Sequence, residues 1–141
     1  MNLLNYRFII TATLTFIPYT AMWFFWHNNL FHNLYYSNPI FYTIDAQNIW
    51  AMNFANALFV YGFVYFYYHI AKNETRKINS VLWGVYYNIS VIGFFAFMNF
   101  GGISGWQGTL LLHEMIWSVI GGAIMGIMTY FLHRKIMSKP A

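Results

Sequence analysis

Five histidines (His27, His32, His69, His113, His133) and three carboxylates (Asp45, Glu74, Glu114) are the side chains in this 141-residue sequence suited to proton exchange or metal binding. His27, His32, His113, Asp45 and Glu114 supply the residue types of a two-histidine, one-carboxylate metal site. Their spacing is not that of a metal motif. His27 and His32 are five apart, not the i,i+4 of one helix face, and the adjacent His113 and Glu114 point about 100° apart on a helix. The set is therefore read in two ways, as interfacial histidines wetted on one side or as ligands of a metal ion. No other cofactor is expected. Haem would need His27 with His113 and His69 with His133. On a straight helix His113 and His133 lie about 30 Å apart, which leaves the second pair outside the hydrocarbon. The chain has no cysteine, which excludes disulfides, thiol catalysis, iron–sulfur clusters and cysteine-based zinc sites.

The elements that must position these groups are apolar. Hydrophobic residues make up 60% of the chain and charged residues 7%, against about 25% charged in an ordinary soluble domain. Four apolar runs, 8–26, 48–70, 80–100 and 109–132, each have the length that about 30 Å of hydrocarbon requires. The expected fold is all-α, one domain, a bundle of four transmembrane helices. Pro18 lies inside the first run and is expected to kink it.

The seven basic residues are Arg7, Lys72, Arg76, Lys77, Arg134, Lys135 and Lys139. All fall in the N-terminus, the second connection or the C-terminus, and none in 27–47 or 101–108. The positive-inside rule then predicts a multi-pass inner-membrane protein with both termini cytoplasmic. A basic rim beside anionic lipid accounts for the excess positive charge, so no nucleic-acid partner is expected. The run Lys72–Lys77 reads as a solvated connection without a partner. Trp23, Trp26, Tyr35, Tyr36, Tyr42, Trp50 and Trp106 form an outer aromatic belt, and the apolar 27–47 connection is expected to lie in the interface or to cover another subunit.

Within the spans, polar groups are few. Glu114 is about five residues into the fourth run, where a charge is expensive and marks a functional candidate. A hydrogen-bonded structural carboxyl is the other reading. Asn53, Asn56 and Asn88 are intramembrane amides, suited to bonding across helices or to a polar path with Glu114. Ser118, Gly122 and Gly126 recur every four residues and form a close-packing stripe, within this bundle or against a neighbour.

Several short stretches resemble a family of small bacterial four-helix inner-membrane proteins whose function is undefined. Gly62-Phe63-Val64-Tyr65-Phe66 is similar to the end of that family's second helix. Gly105-Trp106 is similar to its entry into the fourth, and Glu114-Met115-Ile116-Trp117 to its acidic-x-x-Trp motif. The family's first-helix Asp-x-x-Trp is Thr20-Ala21-Met22-Trp23 here, without the acid. The resemblance implies the topology and no activity.

Three functional classes remain. The first is an accessory or structural subunit of a larger membrane complex, partnered by other membrane subunits or by copies of itself. The second is a small proton-coupled transporter or channel component using Glu114. The third is a membrane enzyme with an outer-facing metal, although no catalytic motif is present.

Overall fold

A computed structural model describes residues 5–37, 48–70 and 76–137, and these are helical almost throughout. In chain order the helices are α1 (Tyr6–Phe25), α2 (His32–Tyr36), α3 (Ile49–Ile70), α4 (Lys77–Asn88), α5 (Phe94–Gly102) and α6 (Gly108–Leu132). Wide π-helical turns follow α1 (Trp26–Leu30), join α4 to α5 (Ile89–Gly93) and follow α6 (His133–Met137). Four continuous helical runs are long and apolar enough to cross a membrane: Tyr6–Leu30, Ile49–Ile70, Lys77–Gly102 and Gly108–Ile136.

The ends have local causes. Asn5 caps α1, its side chain accepting from the Arg7 N–H at 2.9 Å, which satisfies an otherwise orphaned donor. The helix continues through Pro18. The first span does not stop at Trp26, as the apolar run suggested, but winds on to Leu30. His27, Asn28 and Asn29 are polar, yet a backbone leaving hydrocarbon still gains by bonding to itself. Before α6 the chain turns through Gly105 at φ 91°, a conformation that disfavours any side chain.

Neighbouring spans pack in chain order, and α6 closes the ring against α1. The tightest pair is α4 with α6. Gly122 and Gly126 of α6 lie against the backbone of Gly84 and Ser80 on α4, so small residues four apart on both helices bring the main chains together. The stripe thus packs inside this chain. Buried Tyr19, Val60, Phe63, Tyr67, Trp117 and Met125 fill the centre.

Polar side chains tie the spans to one another. Tyr67 and Ser80 hydroxyls lie 2.7 Å apart between α3 and α4, and Thr13 and Tyr61 hydroxyls 2.7 Å apart between α1 and α3. Asn88 is fully buried. Its Nδ2 donates to the Gly84 carbonyl at 3.2 Å, and its Oδ1 accepts from the Tyr19 hydroxyl at 3.4 Å. This amide stitches α4 to α1. Asn53 instead lies exposed on α3.

Candidate functional site

The site lies where the first and third spans end and the second and fourth begin. His27 is the second residue of the wide turn after α1. Its ring lies between Trp23 and Tyr35, with centroids 4.5 and 4.8 Å away, and Trp117 meets it edge-on at 5.9 Å. The short helix α2 folds back over this end and brings in Tyr35. Its neighbour Tyr36 anchors α2 by donating to Asn28 Oδ1.

Three side chains then converge on one oxygen. His27 Nε2 lies 3.3 Å from Glu114 Oε1, and the Tyr35 hydroxyl donates to the same oxygen at 2.9 Å. The His27 and Glu114 side chains are 9% and 16% exposed, so both are largely withdrawn from the surface.

The tautomer follows from the other ring nitrogen. His27 Nδ1 is 2.8 Å from the Trp23 carbonyl oxygen. A carbonyl can only accept, so Nδ1 carries a hydrogen. In a neutral ring Nε2 is then a bare acceptor facing a carboxyl oxygen, and two acceptors do not bond. A hydrogen bond between them then requires one further proton, on Glu114 or on Nε2. In both cases the pair carries no net charge. Such a pair leaves no lone charge, which would be costly in a low-dielectric setting.

Burial, and then the adjacent Glu114 carboxylate, push the Tyr35 hydroxyl well above the ordinary tyrosine range. Tyr35 therefore remains a donor at any physiological pH and fixes the carboxyl's orientation.

Two cavities meet at this carboxyl. The first, of about 310 Å³, is walled by Trp23, Tyr35, Tyr36, Phe95 and Trp106, with Asn99, His27 and Glu114 as its polar groups. The second, of about 450 Å³, lies toward Tyr19, Asn56 and Tyr87 and shares Trp23, Ile92, Phe95 and Glu114 with the first. The Asn56 Nδ2 is buried with no hydrogen-bond partner among the described residues.

Of the metal-type set, only His27 and Glu114 come together. His113 turns the other way, its ring 4.1 Å from Phe31 and 6.3 Å from Trp26. His32 stacks on Tyr36 at 4.7 Å. Asp45 lies outside the described residues, and among those described no three histidine or carboxylate groups converge. At the opposite end, His69 and His133 each meet the ring of Tyr68. Ser118, on the Glu114 face, bonds not to the carboxyl but to the Glu114 backbone carbonyl, at 2.8 Å.

Tyr35, Asn99 and Trp106 complete the site without having been singled out for it. Asn99 carried a usable signal, as one more amide inside an apolar run. Tyr35 and Trp106 had only their place in the aromatic belt.

Comparison of the chain with known protein families, curated proteins and solved structures finds no match.

Proposed function

We propose that this chain is a small proton-coupled transporter or channel component whose outer cavity takes a lipophilic organic cation. The observation that carries this reading is Glu114 Oε1, shared by His27 and Tyr35 on the wall of an aromatic cavity. Aromatic faces attract cations, more strongly where water is excluded. A cation entering beside an electroneutral His–Glu pair makes the carboxylate the favoured state and releases the stored proton. Departure of the cation takes the proton back. Neither state leaves an unbalanced charge in the bundle.

The seven-to-none distribution of basic residues supports an inner-membrane placement with both termini cytoplasmic. The cavity then opens toward the outer face.

Benzyltrimethylammonium is a suitable probe, because Trp23 and Trp106 line the cavity and report on its contents. Titrated into purified protein in weakly buffered detergent, it should change tryptophan fluorescence saturably and release protons. Glu114→Gln should abolish proton release and weaken binding. A saturable signal with no proton release, or unchanged in Glu114→Gln, would overturn the reading.

A second reading, a subunit of a larger membrane assembly, rests on Asn53. Its amide is exposed beside Trp50 and Phe54, also exposed, and an amide facing lipid gains from a partner helix. Cross-linking from position 53 in intact membranes should capture a second polypeptide if this reading holds, and lipid alone if it does not.

A further inference from the structure

We infer that the opposite end of the bundle holds a phosphate-binding site built by Lys77, Arg134 and Lys135. These residues come from separate helical runs, and as a sequence the segment ending at Lys77 had no partner. The fold sets Lys77, at the start of α4, across from Arg134 and Lys135, in the turn after α6. Together with Tyr130 and Phe131 they line a groove of about 690 Å³.

Two of the three basic side chains are held against aromatic rings. Arg134 Nη1 donates to the Tyr130 hydroxyl at 2.7 Å, and its guanidinium lies 5.5 Å from the centre of that ring. Lys77 Nζ lies 5.9 Å from the centre of the Phe131 ring. Among the described residues no carboxylate pairs with Lys77 or Lys135. No side chain caps α4 and no acidic residue lies in its first turn, so its N-terminal dipole adds to the positive field.

Three cations around one groove call for an anion of more than one charge-bearing oxygen, and phosphate is the chemistry that fits. The setting favours a phosphate carried on lipid. Phe131 and Ile78 are exposed, at 54% and 59%, and give acyl chains an apolar surface beside the headgroup. Basic pockets between spans on the cytoplasmic side bind anionic headgroups in this way.

The full chain, purified in neutral detergent, would be titrated in mixed micelles with phosphatidylglycerol, with phosphatidylcholine, and separately with inorganic phosphate. Saturable binding of phosphatidylglycerol, with little of phosphatidylcholine, is expected. Lys77→Gln and Lys135→Gln should each weaken it roughly fivefold. Lys77→Arg should restore it. Arg7→Gln removes a charge at the same end outside the groove and should change affinity less than twofold. Saturation by inorganic phosphate with the same lysine dependence would support the site and assign it to a soluble phosphate. Equal binding of the two lipids, or equal losses in Arg7→Gln and Lys77→Gln, would overturn the site. Helicity and melting in phosphatidylcholine micelles establish that each variant is folded.

Discussion

Gly122 lies so close to Gly84 that a β-carbon built on Gly122 would come within 2.7 Å of the Gly84 carbonyl oxygen. It would also meet the Val85 Cα at 2.7 Å. Both obstacles are backbone, which cannot swing aside as a side chain does. Gly122→Leu should therefore push α4 from α6 and destabilise the bundle by at least the ~1–3 kcal/mol typical of over-packing. Gly101→Ala is the matching control, because nothing lies within 4 Å of a β-carbon there. Replacing that helical glycine should stabilise by about 0.5–1 kcal/mol. Thermal melting in detergent reads both, and opposite signs are expected. Equal melting of Gly122→Leu and the parent would remove the close contact.

Glu114→Gln keeps an oxygen to accept from Tyr35 and gains N–H donors that can reach His27 Nε2. It should fold like the parent while losing the exchangeable proton. Glu114→Ala leaves Tyr35 and His27 without their shared oxygen and should melt lower, by about 1–3 kcal/mol for unsatisfied buried groups. Comparing melting with proton release in the two variants separates a structural role from proton exchange. Proton release by both variants at the parent's level would dismiss Glu114 from the mechanism.

The raised Tyr35 hydroxyl makes an alkaline prediction. A group whose folded-state value is raised contributes stability that is complete below its unfolded value, about 10 for tyrosine, and is lost as pH climbs above it. Stability of the parent should thus fall above about pH 10. Tyr35→Phe should fall less over the same range. In Glu114→Gln one of the two causes is gone, so Tyr35 should ionise at lower pH than in the parent. Ultraviolet tyrosinate absorbance measures this directly, and superimposable titrations of parent and Glu114→Gln would contradict the contact.

The proposed orientation gives a simple test. A reporter active only outside the cytoplasm should be silent when fused after Ala141 and active when inserted after Gly105. The reverse pattern would place Glu114 at the cytoplasmic end and move the proposed cation entry with it.

The four spans were legible because hydrocarbon tolerates so few polar atoms that composition alone marks them. Their ends were less so. His27 to Leu30 continue the first helix although the apolar run has ended. Glu114 stood out as a carboxylate at depth, but its partners did not. No periodicity connects Tyr35 on α2 with a carboxyl on α6, since that contact exists only after α2 has folded back. The pairing of His27 with Glu114, rather than His113 with Glu114, likewise depends on which faces α1 and α6 turn toward each other. Side-chain type nominated five metal-type residues, and the relative rotation of two helices brought two of them together.

The wide turn at Ile89–Gly93 has a consequence for that rotation. It accommodates one more residue than an α-turn, so α5 leaves it about 100° out of phase with α4. That phase sets Phe95, Ala96 and Asn99 on the wall of the cavity beside Glu114, while α4 keeps Gly84 against Gly122. One buried face thus runs along the whole span, from Ser80, Gly84 and Asn88 to Gly93 and Ala96, with a step of five at the wide turn. Deleting a single residue from the turn would leave the hydropathy of the span almost unchanged. It would nonetheless swing a different stripe of α5 inward and erase the hollow. The chamber is in this sense a dislocation in a helix, a property of residue count rather than of any residue's chemistry.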